Sequence, residues 1–283
     1  MTKNQMISTP LIDPRTLGRV LDEVAVMDAR TGADAGAVFD AGHLRGAIRV
    51  DLEADLSAPG DPAAGGRHPL PGFDVWLERL GDWGITESTP VVIYDAASGG
   101  MAAARAWWML RAVGHDLVAV VDGGWSALVA AGVPIDTEPS SVDAVGPYPS
   151  SRSSWPKVDA DFVDRIRRDP RWCLVDARAP ERYRGHAEPL DPIAGHIPGA
   201  KNLFWRSLLG PDGGFMSPRE LMRRWDAIRG DVPSDHVICY CGSGVTACHL
   251  LLGMEACGLR GAQPYIGSWS EWCRLQPPSS ESK

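Results

Sequence analysis

No run of this chain is apolar for long enough to cross a bilayer, which takes about 20 consecutive residues. Residues 1–10 hold a single lysine and no long hydrophobic stretch, so no secretory signal is expected. Basic charge is also scarce. The 28 Lys and Arg stand against 36 Asp and Glu, a net charge of -8, which disfavours nucleic acid and anionic membrane as partners. The first half lacks cysteine altogether. The 6 cysteines, Cys173, Cys239, Cys241, Cys248, Cys257 and Cys273, come later. They form no Cys-x-x-C pair of the kind that builds zinc sites, and their spacing is not that of a disulfide scaffold. A soluble protein of the reducing cytoplasm is expected, with no metal and no cofactor.

What remains is an ordinary globular composition, 44% hydrophobic and 23% charged, in 283 residues, which is room for two domains. The 11 tryptophans are scattered and read as packing residues. The two halves repeat each other in order. Val24-Ala-Val-Met-Asp28-Ala-Arg30 matches Cys173-Leu-Val-Asp176-Ala-Arg178, and Gly42-His-Leu-Arg-Gly-Ala47 matches Gly195-His-Ile-Pro-Gly-Ala200. Val91-Val-Ile-Tyr-Asp95 matches Val237-Ile-Cys-Tyr-Cys241, and Asp122-Gly-Gly-Trp125 matches Ile266-Gly-Ser-Trp269. A shift of roughly 150 residues means a duplicated domain and not a solenoid. The expected division is a first domain over 1–136, a Ser- and Pro-rich linker over 137–156, and a second domain over 157–283.

Apolar strands alternate with helices in each copy, which argues α/β architecture with a parallel sheet covered by helices. Strands are expected at 24–28, 91–95 and 117–121, then at 172–176 and 237–240. Helices are expected at 14–22, 73–80 and 100–113, then at 160–168, 218–229 and 245–256. Asp13 and Pro14 open the first helix, and Ser217 with Glu220 forms a capping box for the fifth.

The most informative segment runs from His236 to Leu252. A short strand ends at Cys241, Gly242 and Gly244 make a tight loop, and a helix follows. A thiol at a strand end, in a turn of inward-pointing amides before a helix N-terminus, sits where anions are stabilised. That makes Cys241 a candidate nucleophile. In open α/β sheets, sites form beyond the carboxyl ends of strands. Asp95 holds the matching place in the first copy, so that copy is expected to be non-catalytic.

Together with the duplication, Cys241-Gly-Ser-Gly-Val-Thr246, Gly195-His-Ile-Pro-Gly-Ala200, Asp122-Gly-Gly-Trp125 and Gly267-Ser-Trp-Ser-Glu-Trp272 resemble the two-domain rhodanese family. The likeness runs from about Leu11 to Arg274, and the neutral loop is similar to that of its 3-mercaptopyruvate sulfurtransferases. The resemblance implies two tandem rhodanese-like domains and a cysteine persulfide on Cys241. It implies a small-molecule sulfur donor, and a thiol acceptor such as thioredoxin, or cyanide in vitro. Backbone amides of Gly242, Gly244, Val245 and Thr246 would cradle the sulfur. Ser243 matches a serine linked to a histidine and an acid. His68 matches the histidine, and Glu53 stands where an aspartate is usual. Arg182 matches an arginine that binds the donor's carboxylate. The place of a second such arginine is taken by Leu190, with Arg184 nearby as a substitute.

Blander readings stand beside these. His68 fits a solvated loop histidine, Ser243 a turn serine, and Arg182 a surface pair with Glu181 or Asp176. His43 and His196 recur in both copies and therefore read as structural. Cys248 lies two helical turns after Cys241 and reads as core. A cysteine phosphatase needs an arginine six residues after its thiol, where this chain has Ala247. The expected function is transfer of a sulfane sulfur with 3-mercaptopyruvate as donor. Thiosulfate:cyanide transfer is the alternative, and a non-catalytic sulfur-carrier or binding module the distant one.

Overall fold

Runs such as Val91–Tyr94 and Val237–Tyr240 are apolar without alternation because every one of their residues is buried, as strands of a covered parallel sheet must be. The computed structural model describes residues 7, 9–58, 60–138 and 140–275. The chain divides into two units. The first contains a five-stranded sheet in the order Leu11–Ile12, Val118–Val121, Val91–Tyr94, Ala25–Asp28, Ile48–Arg49. All neighbouring pairs are parallel. Helix Ala102–Ala112 packs on this sheet, and its run of alanines lets it lie close. Leu17, Val26, Val92, Tyr94, Ala119 and Leu128 belong to one core cluster.

The second unit carries a four-stranded parallel sheet in the order Gln263–Pro264, Val237–Tyr240, Cys173–Asp176, Lys201–Asn202. Its helices include Ala160–Ile166, Pro218–Arg229, Thr246–Ala256 and Ser268–Leu275. Val163, Leu174, Ile197, Ile238, Tyr240 and Trp269 share its core. Local signals explain where helices begin. Asp13 accepts from the amides of Arg15 and Thr16, with Pro14 in the first turn. Ser217 and Glu220 cap each other's backbone reciprocally.

The expected elements appear within a few residues of their bounds, but the short ones were not foreseen. Four strands of two residues each, Leu11–Ile12, Ile48–Arg49, Lys201–Asn202 and Gln263–Pro264, flank the sheets. Two residues carry no period, so they exist only as partners of a longer strand. Helices Ala35–Ala41, Gly124–Ala130 and Ser268–Leu275 were likewise unread.

The units do not follow chain order throughout. The first comprises Met1–Ser57, Pro71–Pro156 and Leu209–Met216, and the second comprises Ala58–Leu70, Lys157–Leu208 and Ser217–Lys283. The expected linker, 137–156, packs with the first unit. Val145 N donates to Gly81 O at 2.9 Å, Tyr148 N to Leu77 O at 2.9 Å and Trp155 Nε1 to Pro71 O at 2.9 Å. More consequential is the short segment Ala58–Leu70, which is grouped with the second unit and brings His68 there.

Candidate active site

The strand Val237–Tyr240 delivers Cys241 into a clamped turn. Cys241 N donates to Ser268 Oγ at 3.1 Å, Cys241 O accepts from Trp269 N at 3.0 Å, and Gly242 O accepts from Ser270 N at 2.9 Å. Helix Ser268–Leu275 thus fixes the thiol through the backbone. Cys241 Sγ accepts a hydrogen bond from Gly244 N at 3.1 Å. Gly244 has φ +77°, and a Cβ there would stand 2.4 Å from Ile266 O, so only glycine fits the turn. Helix Thr246–Ala256 starts at once, and no side chain caps it. The Gly244 amide and the start of this helix therefore set fixed dipoles near the sulfur, which need not reorganise for an anion.

The other thiols are differently placed. Burial pushes the thiols of Cys173, Cys239, Cys257 and Cys273 up, away from the reactive thiolate form. Cys248 is buried beneath the loop, with Sγ 3.5 Å from Gly244 O. None of the six cysteines is joined in a disulfide.

Segment 58–70 is tied to the same helix that clamps the thiol. Gly65 N donates to Glu271 Oε1 at 2.8 Å and Arg67 N to Ser270 Oγ at 3.0 Å. Gly66 makes the approach possible, because a Cβ there would lie 2.4 Å from Gly267 O. The next residue but one, His68, then meets the thiol loop, with Nδ1 2.7 Å from Ser243 Oγ. Ser243 is buried, and its hydroxyl donates to a neutral ring or accepts from a protonated nitrogen. The fold therefore brings Cys241, Ser243 and His68 together. Val245 and Thr246 continue the same turn into the helix. Glu53 belongs to the first unit, where it is exposed in a turn and its amide donates to Asp51 Oδ1 at 2.9 Å.

Two guanidiniums converge on Gly242. A Cβ built there would stand 3.4 Å from both Nη atoms of Arg182 and 3.1 Å from Nη2 of Arg67. Arg182 donates to Glu188 through Nη2 at 2.6 Å and Nε at 3.3 Å. The blander alternative for Arg182, a surface pair with Glu181 or Asp176, is not what forms: its partner is Glu188, with Asp191 Oδ2 3.8 Å away. Arg67 Nη1 pairs with Asp191, which also accepts from Arg274 Nη1 at 2.9 Å. The sequence reading passed over Arg67. Its one signal was a cation directly before the candidate histidine. Leu190 is 59% exposed and Arg184 is exposed at the end of turn Pro180–Tyr183.

The first unit shows what fills the equivalent loop when the thiol is absent. Asp95 accepts from the amides of Ala97 and Gly99 at 2.8 Å each, Met101 at 3.2 Å and Ala103 at 3.1 Å. Burial pushes its carboxyl above the usual carboxylate range, and those four amides only partly oppose the rise. The loop is closed upon its own carboxylate. The recurring Asp–Arg pairs are structural in both units. Arg30 Nη2 donates to Asp28 and to Gly42 O at 2.6 Å, and Arg178 Nη2 to Asp176 and to Gly195 O at 2.7 Å. His43 and His196 likewise place Nδ1 on backbone carbonyls, Phe39 O at 2.9 Å and Tyr183 O at 2.8 Å. Among the described residues, no three His, Cys, Asp or Glu side chains are grouped to hold a metal ion, and no helix is long and apolar enough to cross a membrane.

The rhodanese-like domain family matches the chain twice, over residues 13–131 and 159–275. A probable 3-mercaptopyruvate sulfurtransferase of Pseudomonas aeruginosa is 40% identical over 270 residues, 95% of this chain and 93% of that protein. A putative thiosulfate sulfurtransferase of Mycobacterium tuberculosis is 37% identical over 257 residues, 89% of this chain and 88% of that one. The solved 3-mercaptopyruvate sulfurtransferase of Leishmania major superposes with a TM-score of 0.84 at 30% identity, covering 95% of this chain and 75% of that one. With two matching domains and relatives of this identity along nearly its whole length, the chain belongs to the rhodanese family and is a sulfurtransferase.

Proposed function

We propose that the donor is 3-mercaptopyruvate and that its sulfur passes through a persulfide on Cys241 to a thiol acceptor such as thioredoxin, in the reducing cytoplasm. The observation that carries this choice is the 2.7 Å contact between His68 Nδ1 and Ser243 Oγ, two residues after the thiol. The two candidate donors differ in their need for a proton. With thiosulfate, the Cys241 thiolate attacks the outer sulfur, the S–S bond breaks, and sulfite departs with the electron pair as a stable anion. No proton is required. With 3-mercaptopyruvate, the thiolate attacks the donor's thiol sulfur and the C–S bond breaks. The electron pair then goes to carbon as the enolate of pyruvate, while the thiol proton stays on the outer sulfur. That carbon must be protonated to give pyruvate. A hydroxyl backed by an imidazole supplies such a proton, and general acid catalysis of this kind is worth roughly 10²–10⁴-fold.

The second half-reaction needs no further group. An acceptor thiolate attacks the outer sulfur of the persulfide, and the Cys241 thiolate leaves into the amides of its turn. Loop residues Gly242 to Thr246 carry neutral side chains, so the donor's carboxylate is held from outside the loop, at Arg182. Glu53 enters as an acid of the reaction on the resemblance alone. Its Gln variant is expected to slow mercaptopyruvate turnover more than thiosulfate turnover.

The test is kcat/KM for the two donors side by side, with intact-mass detection of added sulfur on Cys241. Higher kcat/KM for 3-mercaptopyruvate and a persulfide at Cys241 are expected. Faster turnover of thiosulfate would overturn the choice of donor.

A further inference from the structure

We propose that the second unit carries a second ligand site, a cationic cleft at the far end of its sheet from Cys241, which takes a flat-ringed organic phosphate of the nucleoside monophosphate kind. Two of its residues, Trp172 and His236, stand just before strands Cys173–Asp176 and Val237–Tyr240. Cys241 follows the second of these strands, so the strand separates thiol and cleft by about 13 Å, at roughly 3.3 Å per residue. The cleft has a volume of about 910 Å³, and small-molecule sites span roughly 300–1,000 Å³. Arg167, Arg168, Arg171, Lys201 and Arg229 line it, with Asp169 and Asp231. Asp164 and Asp226 pair with Arg167 and Arg229 at 2.7 and 2.6 Å. Five cations thus meet four carboxylates, a local positive excess on a chain of net charge -8.

Helix closure accounts for part of this cluster. Lys201 Nζ donates to Ile228 O at 2.6 Å and Arg229 Nη1 to Val232 O at 2.8 Å, where helix Pro218–Arg229 ends. Arg171 forks onto Asp169. Other donors stay unused. Arg168 is exposed and has no hydrogen-bond or ion partner among the described residues. Arg167 Nη1 and Arg229 Nε are buried, each without a hydrogen-bond partner. The Trp272 ring, 5.8 Å from the Arg167 guanidinium, steadies it without pairing its N–H groups. A buried charged donor without a partner is costly, and phosphate oxygens are strong acceptors for it.

Trp172 and His236 give the cleft a flat wall. Their rings stack 4.4 Å apart at 9°. His236 Nδ1 donates to Arg171 O at 3.0 Å, which fixes the ring and leaves Nε2 without a partner among the described residues. Both rings are partly exposed, so a ligand ring can extend the stack. The backbone beside them is tightly packed. Gly199 has φ +96°, and a Cβ there would stand 1.9 Å from Arg167 O.

The duplication supplies an internal control. At the matching strand positions, Arg171 corresponds to Glu23, Trp172 to Val24, Lys201 to Ile48 and His236 to Pro90. The first unit builds the same end of a parallel sheet without these cations and without the stacked pair. The fold therefore does not require them, and a ligand accounts for them.

The test is isothermal titration calorimetry of the full chain with adenosine 5′-monophosphate, adenosine, ribose 5-phosphate and inorganic phosphate. The nucleotide is expected to bind one-to-one with a Kd below about 1 mM. Adenosine and ribose 5-phosphate each keep one half of the chemistry and should bind at least about 10-fold more weakly. Arg168→Glu alters an exposed side chain far from Cys241. It should raise the Kd of the nucleotide roughly 10-fold or more, with kcat/KM for sulfur transfer within about twofold of the parent. Absence of saturable nucleotide binding up to about 5 mM overturns the proposal. Undiminished binding by Arg168→Glu overturns it too, by placing the nucleotide elsewhere. Ribose 5-phosphate or inorganic phosphate binding as tightly as the nucleotide refutes the role of the ring wall.

Discussion

At the scale of single residues, the proposed mechanism assigns the nucleophile and the proton source to different side chains. Cys241 Sγ accepts from Gly244 N, and Ser243 Oγ lies 2.7 Å from His68 Nδ1, so the two side chains of one loop have different partners. Cys241→Ser is expected to abolish sulfur transfer from either donor while leaving the denaturation midpoint within about 1 kcal/mol of the parent, because the swap is nearly isosteric. Turnover retained by purified Cys241→Ser would remove the thiol from the mechanism. His68→Ala discriminates more finely. It should lower kcat for 3-mercaptopyruvate by roughly 10²-fold or more and leave persulfide formation from thiosulfate within a few-fold, since only the carbon leaving group needs a proton. Equal losses with both donors would show that His68 supports the loop and not the proton transfer.

At the scale of elements, the same strand–loop–helix unit is stabilised in two ways. In the second unit glycine makes the turn, and in the first a carboxylate fills it. Gly244→Ala should be inactive and destabilised. A positive φ costs a residue with Cβ about 1–2 kcal/mol, and the added carbon would meet Ile266 O. Asp95→Ala strips four amides of their acceptor in the first unit. Buried donors left unsatisfied cost about 1–3 kcal/mol each before any rearrangement. Chemical denaturation should therefore show a loss of at least about 3 kcal/mol, with kcat of the still-folded protein changed less than about threefold. Unaltered stability would mean that solvent reaches those amides and replaces the carboxylate.

At the scale of the molecule, the duplicated order of the chain is crossed by two short exchanges. Segment Ala58–Leu70 is encoded in the first half and grouped with the second unit. A fragment spanning 157–283 carries Cys241, Ser243 and Arg182 but lacks His68. It should turn over 3-mercaptopyruvate at no more than about 1% of the full chain's kcat, even where circular dichroism shows it folded. Near-normal turnover by that fragment would mean that residues within 157–283 suffice for catalysis. The exchange also places a residue of the first half, His68, beside Ser243 although that half carries Asp95 in the thiol position.

How much of this was legible follows from how far each interaction reaches along the chain. The repeat, the apolar strands, the helix caps and the thiol at a strand end are written in neighbouring residues. Burial on both faces, the first-turn acceptor and the tight Gly turn are local demands, and residues a few positions apart meet them. Ser243 and His68 were paired by resemblance, 175 residues apart, and no periodicity points to their 2.7 Å contact. Arg67 carried still less signal, because one arginine in a Gly-rich loop looks like any solvated cation. Only the tertiary structure decided that Glu271 and Ser270 hold segment 58–70, that Gly66 lets it close on Gly267, and that Asp191 turns Arg67 toward Gly242. Hydrogen bonds and close contacts between distant segments depend on backbone position in space. The sequence by itself determined which residues were able to do the chemistry, and folding determined which of them share one site.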